Sequence, residues 1–161
     1  MICQPLEGIN YESIILNEAV KNSVLQYNYF YKLIYSTDIL VLTSIFAIFE
    51  LTNIVIENDI ITFNKNNNNF DIFNKLIALE EYLLKLLNSS KTKLYKFKEI
   101  YDNKSLRFVC NETSEMLENN INTINTKNKN LILKISGLWE SKESIGLTFK
   151  FIIVNKYLQF Y

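Results

Sequence analysis

The strongest constraint on the fold is the stretch LILKISGLWESKESIGLTFKFIIV, which runs from Leu131 to Val154. Apolar residues take every second position in two runs, and a period of two is typical of strands that bury one face. The polar residues between the runs, from Glu140 to Ser144, predict the loop of a hairpin. The sequence therefore predicts a long antiparallel strand pair in its last third.

The register of this predicted hairpin follows from its apolar faces. Odd positions must oppose odd positions if those faces are to coincide, so a five-residue loop fits and a four-residue loop does not. Trp139 then opposes Ile145, and Gly137 and Gly146 indicate bulges or bends in the sheet. The predicted buried face consists of Leu131, Leu133, Ile135, Trp139, Ile145, Leu147, Phe149, Phe151 and Ile153.

The opposite face of the predicted hairpin carries a pair of lysines. In the same register Lys134 opposes Lys150, and Ser136 opposes Thr148. Like charges placed directly opposite each other destabilise a sheet, and a bound anion reverses that effect. Because lysine and hydroxyl side chains are common phosphate contacts, Lys134 and Lys150 are candidate ligands of a phosphate backbone. The alternative is a solvated outer face on which the two lysines point apart.

Another strand is predicted by QYNYFYKLIYS, from Gln26 to Ser36, in which tyrosines recur at strand spacing. Successive side chains of a strand point to opposite faces, so Leu33 and the tyrosines share one face. These tyrosines are Tyr27, Tyr29, Tyr31 and Tyr35. A tyrosine ring can stack on a base while its hydroxyl stays hydrated, and Phe30 and Ile34 give the strand a separate side to bury. The alternative is that the tyrosine face is a half-buried wall of the core.

A tight hairpin is predicted by IVIENDIITF, from Ile54 to Phe63. With Asn58 and Asp59 as a two-residue turn, Ile56 opposes Ile61 on one face. Further along the chain, KLYKFKEIY and SLRFVC also alternate in type and predict a second hairpin of this kind.

Two helices are predicted between the strands. Apolar residues from Ile72 to Leu86 recur every three or four positions and predict a long helix, capped by Asp71 or by a preceding asparagine. The polar stretch NKNNNN, residues 64–69, predicts a surface loop before it, and residues 112–124 predict a short helix. Residues 1–161 are expected to form a single domain of the α+β class, an antiparallel β-barrel or sandwich (OB-like) with one long and one short helix.

Charge is unevenly distributed along the chain. Residues 1–90 contain 5 lysines and 10 acidic residues, which gives 5 − 10 = −5, and residues 91–161 contain 12 basic and 7 acidic residues, which gives 12 − 7 = +5. This asymmetry indicates a basic face within a neutral total. Lys93, Lys96 and Lys98 lie among aromatic residues in the basic part and are further candidate phosphate contacts.

The composition argues against most catalytic and metal-binding chemistry. The chain has no histidine, which removes the commonest general base and the usual zinc ligand. It also has no CxxC pair, no glycine-rich phosphate loop and no Walker-type lysine motif. We therefore expect no enzyme activity, no cofactor and no metal.

The segment LKISGLWESKESIGLTFKF resembles a C-terminal segment of small proteins of large A+T-rich DNA viruses and linear plasmids. The resemblance rests on its Gly-Leu-Trp and Gly-Leu-Thr pieces and covers about an eighth of the chain. Some of those proteins are similar to OB-fold single-stranded-DNA-binding proteins, so the resemblance implies an OB-like fold, a viral type of origin and a role in DNA replication. Such proteins often carry an acidic C-terminal tail. This sequence ends NKYLQFY, so recruitment of replication partners through a tail is not expected.

The apolar stretch from Ile39 to Ile56 is long enough to test as a membrane span. It contains Glu50, and an acidic side chain is costly within a bilayer, so two buried strands joined by a turn are predicted instead. The N-terminal residues MICQPLEGINYE have neither the basic flank nor the apolar run of a secretory signal. An intracellular location without a membrane partner is therefore expected, in the host cytoplasm or nucleus if the protein is viral.

Single-strand binders combine a positive groove with aromatic side chains on which bases stack. The sequence therefore predicts a non-enzymatic protein that binds single-stranded DNA or RNA, with bases on the tyrosine face and phosphates on the candidate lysines. The alternative is a protein–protein interaction or structural module, of virion, scaffold or host-factor-binding type, in which the tyrosine face is an interface and a homo-oligomer is a possible assembly. Salt separates the two, because phosphate contacts weaken steeply with ionic strength.

Overall fold

Residues 2–21, 29–109 and 128–154, which the computed structural model describes, form a mixed α+β fold dominated by strands. The strands of this part of the chain are β1 (Gln4–Pro5), β2 (Ile14–Lys21), β3 (Tyr29–Ser36), β4 (Val41–Leu42), β5 (Ile45–Thr52), β6 (Ile54–Glu57), β7 (Ile60–Phe63), β8 (Thr92–Lys93), β9 (Ser105–Val109), β10 (Asn128–Glu140) and β11 (Ser144–Ile153). The helices are α1 (Asn67–Leu86) and α2 (Lys96–Asn103). The predicted α+β class is confirmed.

Strand β10 organises the sheet. It pairs antiparallel with β11 along one edge and, along its other edge, first with β5 and then with β3. The sheet order is β1-β5-β10-β11-β9-β7-β6, with β3 and its neighbours β2 and β4 attached to the second half of β10, and β8 attached to β11. Within the described residues no pairing connects β1 with β6, so the sheet is open and a closed OB-like barrel is not confirmed.

The C-terminal hairpin, β10 and β11, has the predicted register over its first half. Ile135 pairs with Phe149, and one position earlier Lys134 pairs with Lys150. The hairpin of β6 and β7 also has the pairing that its Asn-Asp turn predicts. In the β6–β7 hairpin, and in the C-terminal hairpin as far as Ile135, the alternation of apolar residues is sufficient to fix the pairing, because one face is buried in the core.

A bulge in β10 changes the register beyond Ile135. The shift falls between Ile135 and Gly137, so Ser136 is the extra residue. One extra residue turns every following side chain to the other face of the sheet. Trp139 therefore opposes Gly146, not the isoleucine predicted, and lies on the face opposite to the predicted one. Four residues separate the last pair of the hairpin, Glu140 and Ile145, and not the five predicted between Trp139 and Ile145.

Both helices pack on one side of the sheet, which we call the core face. Helix α1 buries Phe73 and Leu76 in the same cluster as Leu33 of β3. Helix α2 buries Phe97, whose ring centroid lies 4.7 Å from that of Phe149 in β11. The opposite side of the sheet, which neither helix covers through these contacts, is the outer face.

The asparagine-rich stretch before α1 is only partly the surface loop that its composition predicts. Asn66 caps the helix, because its side-chain oxygen accepts the Asn69 backbone N–H at 2.9 Å. Asn69 itself is fully buried, and its amide donates to the backbone oxygens of Thr52 at 2.9 Å and Asn64 at 2.8 Å. Its side-chain oxygen accepts the Thr52 N–H at 3.0 Å. A buried amide is tolerated here because its hydrogen bonds are made within the fold.

The segment predicted as the first strand of a second hairpin, KLYKFKEIY, forms most of helix α2 instead. The backbone N–H groups of Lys96 and Phe97 donate to the two carboxylate oxygens of Glu80 at 2.8 and 3.0 Å. These bonds satisfy two N–H groups at the start of the helix that have no partner within it, and the acceptor comes from α1, a partner that local alternation does not reveal. SLRFV does form the predicted strand, β9. The short helix predicted over residues 112–124 lies outside the described residues.

The apolar stretch over residues 39–56 contributes strands to the sheet, as predicted, but they are β4, β5 and most of β6 instead of the two predicted strands. Among the residues that the structure describes, no helix has both the length and the apolar character needed to cross a membrane.

Candidate nucleic-acid interface

The tyrosines of β3 share one face, as predicted, but that face is the core face. Leu33 is 0% exposed and Tyr35 is 3% exposed. The Tyr35 hydroxyl accepts the Asn10 backbone N–H at 3.1 Å and donates to the Gln4 side chain at 3.2 Å. A ring with both sides buried has no surface for a base, so the prediction of an open tyrosine platform is corrected at Tyr35. The strand carries aromatic and aliphatic residues on both sides, and alternation alone does not show which side is the core.

Tyr31 is held in a hydrogen-bonded network at the end of the core face. Its hydroxyl donates to Glu140 Oε2 at 2.6 Å, and Lys91 Nζ lies 2.8 Å from Glu140 Oε1. Lys91 also donates to the Ser141 backbone oxygen at 2.7 Å. The bond to Glu140 raises the pKa of Tyr31 to about 12, while donation by Lys91 and by Tyr31 lowers the pKa of Glu140. Tyr31 is therefore a structural link between β3 and the end of β10, which sequence reasoning missed.

Of the other two predicted tyrosines, the structure describes Tyr29. Tyr29 is 43% exposed at the start of β3, beyond the network just described. Tyr27 lies outside the described residues. Of the three predicted stacking residues that the structure describes, only Tyr29 is thus placed with an open ring.

The predicted lysines divide between the two faces. Lys96 and Lys98 are exposed on α2, which packs on the core face, and Lys96 is paired with Glu99 at 2.6 Å. Lys93 pairs with a core-facing position of β11 through the short strand β8. Lys134 and Lys150 lie on the outer face. The structure does not bring these two groups of lysines together.

Aromatic rings occupy the outer face where β10 meets β3. Trp139 pairs with Phe30 on one side and with Gly146 on the other, and Phe30 pairs with the exposed Val20 of β2. A Cβ at Gly146 would lie 2.6 to 2.9 Å from three adjacent atoms of the Trp139 indole, so the ring lies flat over the glycine. One side of the indole is thereby packed against the sheet. We call Phe30 and Trp139, together with the apolar Val20 beside Phe30, the aromatic row.

Glycine is required beneath the second ring as well. A Cβ at Gly137 would lie 2.6 Å from Cζ of Phe30 and 2.3 Å from the Tyr31 backbone oxygen. Only glycine allows the ring to settle this close to the backbone of β10. An aromatic residue opposite a strand glycine, as Trp139 is opposite Gly146, is the signal by which the sequence could have placed the indole on this face.

A row of polar and charged side chains follows the aromatic row. Gly137 pairs with Lys32 of β3 on one side and with Thr148 of β11 on the other, and both partners are exposed. Lys32 is a site residue that sequence reasoning missed, since it lies between the tyrosines but points to the opposite side.

The lysine row lies on the other side of the bulge and consists of Lys134 and Lys150 with Phe46. Lys134 pairs with Phe46 of β5 and with Lys150 of β11. Lys134 Nζ lies 5.4 Å from the centre of the Phe46 ring, a cation–π contact that leaves its charge uncompensated. Among the residues described, no carboxylate lies within ion-pair distance of either lysine.

An apolar row bounds the outer face beyond the lysines. Ile132 pairs with Ile48 and Ile152, and together with Val154 these residues form a second, smaller apolar cluster on this side of the sheet. Ile132 is 1% exposed. This end of the outer face is therefore closed to a ligand, and the accessible part extends from the aromatic row to the lysine row.

The distance between the two rows suits a short stretch of an extended ligand. Gly146 and Lys150 are four residues apart on β11, which corresponds to about 13 Å at roughly 3.3 Å per residue. The rings at one end can contact bases, and the ammonium groups at the other end can contact phosphates, of one bound single-stranded nucleic acid. Among the described residues, no group of three or more His, Cys, Asp or Glu side chains is placed to hold a metal ion.

The chain was compared with protein-family models, with curated proteins and with solved structures, and no significant match was found in any of the three comparisons.

Proposed function

We propose that the protein binds single-stranded nucleic acid on the outer face of its sheet, without strong sequence preference and without catalysis. Bases stack on Trp139 and Phe30, and phosphates contact Lys134, Lys150 and Lys32. The tyrosine face, which the sequence predicts as the stacking surface, serves the core instead.

The proposal rests on one observation: aromatic rings and uncompensated lysines share an accessible sheet face. Lys134 and Lys150 are directly opposed, and their repulsion is relieved when a phosphate binds between or beside them. Trp139 is preorganised, because the glycine beneath it fixes the plane of the indole. Both components of a single-strand site are therefore within reach of one short oligonucleotide.

A single strand fits this surface better than a duplex. Bases in a duplex stack on one another and expose only their edges, whereas an unpaired base offers its whole face to an aromatic ring. Stacking is tolerant of sequence because every base has such a face. The C-terminal hairpin's resemblance to OB-fold single-stranded-DNA-binding proteins supports the same class. The OB-like barrel, the viral origin and the role in replication stay predictions.

A second candidate function, protein interaction, is favoured by apolar residues at the far side of the sheet. Ile15 of β2 is 51% exposed, Val41 of β4 is 65% exposed, and Ile39 between β3 and β4 is 96% exposed. In the described part of the chain β2 pairs only with β3, so its other edge is open to another strand. This candidate predicts concentration-dependent association that hardly responds to salt, which sedimentation velocity measures.

Binding is tested by titrating fluorescein-labelled oligo-dT with the protein and following anisotropy over a series of salt concentrations. The decisive variant is Lys134→Gln with Lys150→Gln. We expect its affinity to fall, and the slope of log affinity against log salt to become shallower by about 1.4, since each phosphate contact on a single strand contributes about 0.7.

The matched control is Lys96→Gln with Lys98→Gln, which removes the same charge from α2 on the other side of the sheet. The outer-face site predicts that this control keeps the wild-type slope. If the control loses the slope and the outer-face variant keeps it, the site lies on the helix side. If wild-type protein does not bind oligo-dT at low salt, the proposed function is wrong.

A further inference from the structure

The chain contains a single arginine, Arg107, and the sheet places it at the end of the lysine row. Strand β9 runs parallel to β11, with Phe108 beside Phe151 and Val109 beside Ile152. Continuing that register by one residue places Arg107 beside Lys150. Lateral neighbours in a sheet are about 4.8 Å apart, so three cationic positions follow one another across three strands within about 10 Å.

The side chain of Arg107 points to the same face as Lys150. Its neighbours Leu106 and Phe108 are buried in the main core, at 2% and 5% exposure, so the alternation of β9 directs Arg107 outward. The side chain is 76% exposed. Arg107 thus extends the lysine row toward β7.

One carboxylate accompanies this arginine. Arg107 Nε lies 3.1 Å from Asp59 Oδ2, and Asp59 belongs to the turn between β6 and β7. The turn is fixed against β9, because the Phe108 N–H donates to the Asp59 backbone oxygen at 2.9 Å. The Asp59 side chain is 53% exposed, and an ion pair this exposed contributes little to stability. Such a pair can open when a better acceptor arrives.

We propose that Arg107 is a third phosphate ligand of the lysine row, and that Asp59 competes with the phosphate for its guanidinium. This inference rests on the proposed function, since it concerns the same bound strand. Arginine suits the position because its planar fork binds two phosphate oxygens at once, which an ammonium group does not. Asp59 keeps the guanidinium oriented in the free protein and lowers affinity by competition.

Two opposite variants test the proposal in the oligo-dT anisotropy assay. Arg107→Gln removes the ligand, so we expect about fivefold weaker binding at moderate salt and a salt slope shallower by about 0.7. Asp59→Asn removes the competitor, so we expect about threefold tighter binding. Arg107→Lys keeps the charge without the fork and is expected to fall between wild type and Arg107→Gln.

A matched control separates the local effect from net charge. Asp102→Asn raises the net charge by the same single unit and also frees a cation, because Asp102 pairs with Lys65 at 3.6 Å. Asp102 lies on α2, away from the outer face. The proposal requires Asp59→Asn to tighten binding clearly more than Asp102→Asn does. Equal effects of the two variants, or an unchanged salt slope in Arg107→Gln, would overturn it.

Failure of this inference is distinct from failure of the proposed function. If Lys134→Gln with Lys150→Gln lowers the slope but the Arg107 and Asp59 variants behave like wild type, the lysine row binds phosphate without Arg107. If the double lysine variant also behaves like wild type, the whole outer-face site is wrong.

Discussion

The two sides of strand β3 both carry aromatic residues, yet their surroundings differ. On the core face, Tyr31 and Tyr35 have hydroxyls that are bonded to protein partners. On the outer face, Phe30 lies over Gly137 and beside Trp139, and lysines follow within a few residues. A phenolic hydroxyl is therefore no sign of exposure, because a buried tyrosine needs only one partner for it. Phe30, which has no polar group, packs on the outer face because Gly137 beneath it has no side chain to displace the ring.

The largest expected effect tests the division into a core face and an outer face. Phe97→Ala on the core face removes a fully buried ring that packs against Phe149 and Phe151, so we expect a loss of about 3–5 kcal/mol in the free energy of unfolding. Phe46→Ala on the outer face removes a partly exposed ring, and we expect about 1 kcal/mol or less. Urea denaturation followed by circular dichroism measures both. Equal losses would contradict the division.

The next effect concerns charge on the two faces. Glu80 is 0% exposed on the core side, and this burial raises its pKa to about 7. The hydrogen bonds from the Lys96 and Phe97 N–H groups and the charge of Lys96 lower the pKa, and the charge of Glu81 raises it, but burial has the largest effect. The folded chain therefore binds a proton at Glu80 more tightly than the unfolded chain, in which the pKa of this side chain is near 4.5. Protonation of Glu80 therefore stabilises the folded chain. This contribution to the free energy of unfolding is complete below pH 4.5 and is lost as pH rises through about 7, a total of about 3 kcal/mol.

Urea titrations between pH 5 and pH 8 measure this effect, at about 1.4 kcal/mol for each unit of pKa shift. Glu80→Gln should remove the decline in stability with rising pH that Glu80 causes, although it weakens one of the two capping hydrogen bonds. The neighbouring, exposed Glu81→Gln serves as the control and should retain the decline. A decline that persists in Glu80→Gln would show that another group is responsible.

The smallest expected effect sharpens the contrast between the tyrosines and Trp139. Tyr29→Ala changes an exposed ring at the end of the core face, so we expect less than about 0.5 kcal/mol in stability and unchanged affinity for oligo-dT. Anisotropy titration is the measurement. A clear loss of affinity in a folded Tyr29→Ala protein would return the binding site to the tyrosine face.

Much of the fold was predictable wherever one face of an element is buried. The pairing of Lys134 with Lys150, the β6–β7 hairpin and the body of α1 all follow from apolar periodicity. Periodicity works there because a shift by one residue would expose the apolar set. The alternation of Tyr29, Tyr31 and Tyr35 also predicts the strand β3 correctly, but aromatic and aliphatic residues lie on both sides of that strand, so the sequence leaves the choice of core face open.

The features that sequence reasoning missed depend on contacts distant in sequence or on a single inserted residue. Helix α2 is capped by Glu80 of another helix, so local alternation misreads it as a strand. The bulge at Ser136 turns Trp139 from the predicted buried face to the outer face, and with it moves the aromatic part of the site. Gly137 correctly predicts a bulge. To place Trp139 on the correct face, one must also know that the bulge adds a residue before Trp139, and alternation does not show this.

The most direct test of the outer-face site uses the fluorescence of Trp139, the only tryptophan in the chain. Oligo-dT is added at low salt and the emission is followed, and the titration is repeated at high salt and with Lys134→Gln plus Lys150→Gln. Stacking of a base on the indole predicts saturable quenching that weakens with salt and in the lysine variant. Binding seen by anisotropy without any change in Trp139 emission would contradict the account.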